Sequence, residues 1–495
     1  MRRANVALIV LDTLRYDHLW RAFERGPLCP HLSEFAAGAT SFENAISPAA
    51  FTAPSHASMF TGLLPCDHGI YTYEQVVGAR PPEGDLIASL QSAGYVCIAL
   101  SANPFILRGT ALGSEFDVMV NVLSLTRAGP LAHDEPPLMK LKRRLAAALR
   151  PLARAAGRET MEPSCSRALV QARKMLRAVR TVLRAVRGRW ADRPVFLFCN
   201  LMATHDPYLF EPQDARFTRP GGRRGADVVP RRFQPDYWLD VLGIKPMSEE
   251  MLERLRWSYA ASVHYADRMT GEILSGIDGS LADETTNVVV TSDHGELLGE
   301  RGFFGHGVFL YEPLVHVPLL VRCGELEAGV RVRTPVQTHW VRSLILQWAG
   351  VQDGADHPAG SGSLLEVTAG MAGERPMYSF SDPDGELHRF RMALRAAADL
   401  GWTPSHVRPK ATDAHLQAVR LGNDVLIRTC SGYDLALRMK NGADEIELSG
   451  QEADGTRRAL GGHLLPMKSQ PKAAVEHASR DGRVIESLRQ LGYID

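Results

Sequence analysis

Residues 6–17 read VALIVLDTLRYD, six apolar side chains in a row and then an aspartate. A run this short and this unbroken suits a strand covered on both faces in the middle of a parallel sheet. Similar runs recur at 96–100, 195–200, 287–291 and 317–321, with helix-like stretches such as 85–93 and 249–274 between them. That alternation predicts an α/β fold: a mostly parallel central sheet with helices on both faces. After a Gly/Ser/Asp-rich patch, VQDGADHPAGSGS from Val351, the pattern changes to short strand candidates at 377–380, 415–421 and 425–429, then a helix-like 483–491. The expected organisation is a catalytic domain over 1–365 and a smaller C-terminal α+β domain over 366–495 with a short antiparallel sheet.

Composition narrows the class of partner. The chain has 495 residues, 45% of them hydrophobic, with Lys+Arg and Asp+Glu both at 56. Zero net charge gives no argument for a nucleic-acid partner. The charge is nevertheless uneven. A basic helical insertion at about 138–190 includes Lys142, Arg143, Arg144, Arg177, Arg180 and Arg184 and almost no acid, and Leu169, Leu176, Val179, Leu183 and Val186 recur in it at helical spacing. It reads as a surface helix packing its apolar stripe on the body, or as a contact for a membrane surface or an acidic substrate. Seven cysteines without a C-x-x-C pair read as reduced thiols, and Asp12 and Arg15 interrupt the N-terminal apolar run before it reaches the ~7–15 residues of a signal sequence. The expected location is the cytoplasm.

The chemistry gathers where strands end. In open α/β sheets the ligand crevice lies outside the carboxyl ends of the strands. Asp12 directly follows the first strand and is itself followed by Thr13, Arg15 and Asp17, while Asp293–His294 directly follow NVVVTS. A strand-terminal Asp alone can be structural, but two carboxylates with an imidazole suit Zn, Mn, Mg or Ca. The segment SPAAFTAPSHASMFTGLLPCDHG, 47–69, sets Thr52 just before a helix that Pro54 would open, with Ser47, Ser55 and His56 close by. Thr52 can be only the N-cap of that helix, or the helix-terminal N–H groups can stabilise an alkoxide or an incoming oxyanion. His205 follows the VFLFCNL strand in THDPY, where it can serve as a general acid or only as a structural residue. His306 lies in GELLGERGFFGHG, a stretch whose glycines suit either a surface turn or close approach to a ligand.

Taken in order, these motifs resemble the alkaline phosphatase/sulfatase superfamily: type I sulfatases and their relatives, the phosphonate monoester hydrolases and phosphodiesterases. The resemblance runs from Asp-Thr-x-Arg-x-Asp through Thr-x-Pro-Ser-His-Ala-Ser-x-x-Thr-Gly and His-Asp-Pro-Tyr to Ser-Asp-His-Gly-Glu with its Gly-His-Gly, and VHVPLLV follows as the next strand. It implies an alkaline-phosphatase-like sheet and one divalent metal ion held by Asp12, Asp293 and His294, with Thr52 as a further ligand. Thr13 stands where many relatives carry a second metal-binding Asp. His56 takes the place of the signature Arg, as a group for the substrate oxyanion or the nucleophile. His205 matches the leaving-group histidine, His306 falls where a Lys or His contacts the transferred group, and Arg15 and Asn103 are candidates for substrate contact.

Thr52 departs from the sulfatase pattern. Sulfatases begin their signature with a Cys or Ser that is oxidised to formylglycine; threonine cannot become that aldehyde, so no formylglycine is expected. A sulfated threonine lacks the hemiacetal route that expels sulfate, whereas a phosphothreonine can be hydrolysed by metal-assisted in-line attack. The expected reaction is therefore hydrolysis or transfer of a phosphate or phosphonate ester, with Thr52 attacking phosphorus and His205 protonating the leaving alkoxide. Sulfate-ester hydrolysis by metal-bound water, and a non-catalytic metal-binding protein docking an anionic surface through the basic helix, remain the competing readings. The substrate is expected to be a small anionic ester; the oligomeric state is left open.

Overall fold

A computed structural model of the chain describes residues 3–121, 175–185, 192–214, 247–352, 362–381, 415–429 and 432–467, short breaks within these spans aside. The strands used below are β1 (Asn5–Leu11), β2 (Thr40–Ile46), β3 (Val96–Ser101), β4 (Val118–Asn121), β5 (Val195–Leu201), β6 (Thr286–Thr291), β7 (Leu297–Leu298), β8 (Phe304–Gly305), β9 (His316–Arg322), β10 (Arg331–Val332) and β11 (Val336–Gln337). A second group comprises β12 (Met377–Phe380), β13 (His415–Leu421), β14 (Asp424–Thr429), β15 (Asp434–Lys440) and β16 (Asp444–Glu447). The helices are α1 (Pro30–Ala37), α2 (Thr52–Thr61), α3 (Leu86–Ser92), α4 (Glu249–Ser280), α5 (Glu312–Val315), α6 (Val341–Trp348) and α7 (Gly450–Gly461).

Among the described residues, nine strands form one sheet in the order β10-β2-β9-β6-β1-β5-β3-β4, with β11 beside β2. β1 pairs parallel with both β5 and β6, and β3 pairs parallel with β5 and β4. β9 alone runs against its neighbours, β2 and β6. Every residue of β1, β3 and β5 is buried, which is why their sequences carry no polar alternation. The second sheet is antiparallel throughout, in the order β12-β13-β14-β15-β16. It has its own apolar cluster of Tyr378, Phe380, Val419, Leu426 and Ala436, which Leu64, Cys66 and Tyr71 from the segment after α2 complete.

The expected strands are all present, and the helix expected at 249–274 runs on to Ser280. Of the basic insertion, residues 175–185 are helical, with Met175, Ala178, Val179, Val182 and Leu183 buried and Arg177, Arg180 and Arg184 exposed. The rest of that insertion, the stretch 127–162, most of 217–248, the patch 353–361 and the helix expected at 483–491 lie outside the described residues. Among the described residues, no helix is long and apolar enough to cross a membrane.

Candidate active site

Four neighbouring strands, β6-β1-β5-β3, end side by side and carry the site at their carboxyl ends. Asp12 continues β1 by one residue: its N–H donates to the Leu201 carbonyl at 2.8 Å, and its side chain is fully buried. The chain must then turn sharply. Thr13 takes a left-handed φ of 63°, a conformation that non-glycine residues adopt only when their surroundings impose it. Here the Tyr259 hydroxyl of α4 donates to the Thr13 carbonyl at 2.7 Å, and the Thr13 hydroxyl donates to the Thr204 carbonyl at 2.6 Å. The Leu14 N–H is held by the Ser292 hydroxyl at 2.9 Å, so the ends of β1, β5 and β6 fix one another.

Asp293 and Asp12 share one design. Asp293 Oδ1 accepts the N–H groups of Thr13 and His294 at 3.2 and 2.9 Å, and Asp12 Oδ2 accepts the Asn103 amide at 2.8 Å. The other oxygen of each, Asp293 Oδ2 and Asp12 Oδ1, is buried without a hydrogen-bond partner. These two oxygens lie 3.6 and 4.0 Å from His294 Nε2. The His294 ring donates from Nδ1 to the Gly295 carbonyl at 2.9 Å, which leaves Nε2 as the acceptor nitrogen facing the carboxylates. Gly295 permits this loop: a Cβ there would lie 2.0 Å from the Pro313 carbonyl oxygen.

Thr52 is the first residue of α2, with Phe51 as its cap, so the helix begins two residues before Pro54. Its hydroxyl donates toward Asp12 Oδ2 at 3.5 Å and lies 3.2 Å from His294 Nε2. The Ser55 hydroxyl donates to the Asp293 carbonyl at 2.7 Å and ties the first turn of the helix to the loop after β6. His56 faces the body of the protein. Its Nδ1–H donates to the Thr52 carbonyl at 3.0 Å, the Asn200 amide lies 3.5 Å from its Nε2, and Phe60 and Phe198 enclose the ring. Burial pulls its pKa down against the nearby Asp293 charge. His56 thus supports the Thr52 turn, in line with the second of the two parts the sequence suggested, a contact with the substrate oxyanion or with the Thr52 segment.

The remaining imidazoles come together. His306 lies with its ring centre 4.4 Å from that of His294 and 5.1 Å from that of His205. His205 donates from Nδ1 to the Asp206 carbonyl at 2.6 Å. His306 Nδ1 meets Glu296 Oε1 at 3.0 Å, both side chains 1% exposed. Glu296 is the site residue that the sequence reading did not assign. Reading LL and FG as a hairpin would have placed it opposite His306.

Three expected residues take other parts. The Arg15 guanidinium binds Asp17 at 2.8 Å, Glu300 at 2.6 Å and the Glu296 carbonyl at 3.1 Å, so it braces the loop after β6. Asn103 uses its amide to orient Asp12. Thr13 turns its hydroxyl to Thr204 and away from the carboxylates, because the left-handed turn rotates the side chain toward β5.

Asp12, Asp293 and His294 each offer an atom within 4.8 Å of the others. Burial, and after it the Asp293 charge, push the Asp12 carboxyl well above the usual range. Burial likewise raises Asp293, against the pull of His56. Two dry carboxylates with unpartnered oxygens facing an acceptor imidazole form a donor set that fits one divalent cation, with the Thr52 hydroxyl at its rim.

The sequence profile of the Sulfatase family matches residues 4–351. Arylsulfatase K of Mus musculus is 31% identical over 166 residues, 33% of this chain and 29% of that protein. Choline-sulfatase of Rhizobium meliloti (strain 1021) is 28% identical over 132 residues, 26% of this chain and 25% of that one. The matched stretches thus span less than a third of either relative. Among solved structures, the phosphonate monoester hydrolase SpPMH from Silicibacter pomeroyi superposes with a TM-score of 0.63 over 93% of this chain and 94% of that one, at 17% identity, which shows a common fold. With the profile covering well over half of its length, the chain belongs to the Sulfatase family, within the alkaline phosphatase/sulfatase superfamily.

Proposed function

We propose that this protein is a metal-dependent ester hydrolase, or a transferase, that acts on small phosphate or phosphonate esters with Thr52 as nucleophile. The observation that carries the reading is the place of the Thr52 hydroxyl, at the start of α2 and 3.2 Å from His294 Nε2, on the rim of the carboxylate cradle. Threonine keeps its hydroxyl, where cysteine or serine would be open to oxidation to formylglycine. The positive end of the α2 dipole favours an anion at the same point. A divalent cation in the cradle would supply Lewis-acid stabilisation of the transferred group and lower the pKa of a neighbouring hydroxyl.

The protein's own residues account for the proton and bond changes. Thr52 Oγ1 forms a bond to phosphorus as the phosphorus–oxygen bond of the ester breaks. Its proton passes to Asp12 Oδ2, which lies 3.5 Å away. His205 gives a proton to the departing alkoxide. Water, or a second alcohol, then attacks phosphorus as the bond to Thr52 Oγ1 breaks; His205 takes the incoming proton, and the proton on Asp12 returns to Thr52 Oγ1. His306, held by Glu296, faces the transferred group, while Asn103 holds Asp12, His56 holds the Thr52 turn and Arg15 braces the loop after β6. The buried thiols Cys29, Cys97 and Cys199 suit the reducing, cytoplasmic setting expected from the sequence.

A second reading is favoured by the curated relatives that match, which are sulfatases: a sulfate ester is attacked by water, and Thr52 contributes only its oxygen to the cradle. Turnover of an aryl phosphate monoester, phosphodiester, phosphonate ester and sulfate, each with added Mn, Zn, Mg or Ca, separates the two. The proposal expects the phosphorus esters to turn over faster, with loss of rate on chelation and a drop of about 10³-fold or more in Thr52→Ala. Faster sulfate release, undiminished in that variant, would establish the second reading.

A further inference from the structure

β7 and β8 form a hairpin of two rungs, Leu298 opposite Phe304 and Leu297 opposite Gly305. Continuing that register by one rung sets Glu296 opposite His306, where the two side chains meet at 3.0 Å. The pairing of a glutamate and a histidine ten residues apart is therefore a product of the hairpin. Two rungs cannot hold their own geometry in water, so the hairpin must be fixed from outside.

The hairpin is gripped from three directions over residues 298–303. Arg15, after β1, binds Glu300 at 2.6 Å, and Arg256 of α4 donates to the Leu298 carbonyl at 3.0 Å. The third grip comes from the small sheet. Arg301 sits 3.5 Å from Glu445 and 3.8 Å from Glu447 of β16, with its guanidinium over the Tyr311 ring at 4.5 Å. Arg301 does this from a left-handed backbone, φ 55°, between Gly299 at 107° and Gly302 at 76°. A glycine would be the easier residue at that position. An arginine kept there, on a partner only 8% exposed, marks a contact that the fold imposes. Glu445 in turn accepts the Glu312 N–H at 2.6 Å, and Glu312 is bound by Arg420 of β13 at 2.9 Å, so the anchor is itself locked into the small sheet.

We propose that Arg301 is a positioning residue: anchored on Glu445, it lets the small sheet hold the β7–β8 hairpin and thereby sets the placing of His306 against His294. Its effect on turnover rests on the reading of His306 as a group that faces the transferred ester. A shift of about 1 Å at such a group costs on the order of 10²-fold in rate, so a loosened tip is felt at the chemistry.

The test compares Arg301→Gly, which removes the whole side chain at a backbone position that glycine adopts readily, with Arg301→Lys, which keeps the charge, in the full-length, metal-loaded protein. Amide hydrogen exchange reads the clamp, and turnover of an aryl phosphonate ester reads its consequence. Arg301→Gly is expected to speed exchange across 296–306 alone and to lower kcat by roughly 10-fold, with Arg301→Lys recovering part of both. In a His306→Ala background, Arg301→Gly should cost nothing further, because both changes act on one group. Unchanged exchange at 296–306, or a rate loss that simply multiplies with that of His306→Ala, would overturn the proposal. Should His306→Ala turn over like the parent, the reading of the site fails instead, and hydrogen exchange alone decides the clamp.

Discussion

Asp12 and Asp293 each satisfy one carboxylate oxygen and present the other, unpartnered, toward His294 Nε2. That arrangement predicts how stability depends on pH and on the cation. Burial raises both folded-state pKa values above those of the unfolded chain. The stability these two groups contribute to the cation-free protein is therefore complete below the unfolded values and is lost as pH rises through the folded ones. A bound divalent ion reverses the penalty, and protons compete with it at low pH. Chelation should lower Tm more at about pH 8 than at about pH 5, and loading at about 100 times Kd should add about 2.7 kcal/mol. Thermal scans with and without chelator check this; an equal effect at both pH values would contradict it. Asp12, Thr52, Asp293, His294, His205 and His306 were legible in the sequence because each follows a strand, opens a helix or lies among glycines. Glu296 was not, since its partner is set by a hairpin two residues wide, and the contacts of Arg15 and His56 depend on directions that spacing alone does not supply.

At the scale of elements, the parallel strands could be read because burial on both faces removes polar alternation and leaves bare apolar runs. The antiparallel direction of β9 was invisible for the same reason: VHVPLLV looks alike whichever way it runs. The loop between β6 and β7 carries the sharpest local constraint. Gly295 donates to the Leu314 carbonyl at 2.8 Å, and an added Cβ would lie 2.0 Å from the Pro313 oxygen. Both atoms belong to the backbone, so neither can step aside cheaply. Gly295→Ala should destabilise the fold by about 1–3 kcal/mol and displace His294, which denaturant unfolding and cation titration would register together. A variant with parental stability and parental cation affinity would show that the loop yields more easily than its packing implies.

Across the whole molecule, the small sheet is sewn to the main one near the site. The Phe380 N–H donates to the Pro48 carbonyl at 2.8 Å, and the Ser379 hydroxyl donates to the Ser47 carbonyl at 2.6 Å, just ahead of Thr52. The change of pattern after Val351 predicted a second sheet, but nothing in the sequence tied it to the segment ahead of Thr52, because both contacts end on backbone carbonyls that carry no residue-type signal. Glu445 of β16, at the other edge of the small sheet, is a titratable group in a second contact, with Arg301 and Glu312. Burial, and then the Glu312 charge, raise its pKa to about 7, against the Glu312 N–H, Arg301 and Arg420. Its folded value exceeds the unfolded one, so the stability it contributes is complete below about 4.5 and is lost as pH rises through about 7. Glu445→Gln cannot ionise, and should be more stable than the parent above about pH 7 by about 1–3 kcal/mol, with the gap closing in acid. Unfolding at several pH values measures the gap; a gap independent of pH would contradict the burial argument. The same replacement weakens the anchor of Arg301, so stability gained there is expected to cost turnover.

In the proposed reaction Thr52 itself takes the phosphoryl or phosphonyl group. Acid quench during turnover of an aryl phosphonate ester, followed by peptide mass mapping of the segment 47–62, would capture it. A covalent adduct on Thr52 is expected within the first turnover, and is expected to be absent from Thr52→Ala. Steady turnover with no adduct at any quench time, and with Thr52→Ala keeping the parental rate, would contradict it and make water the nucleophile.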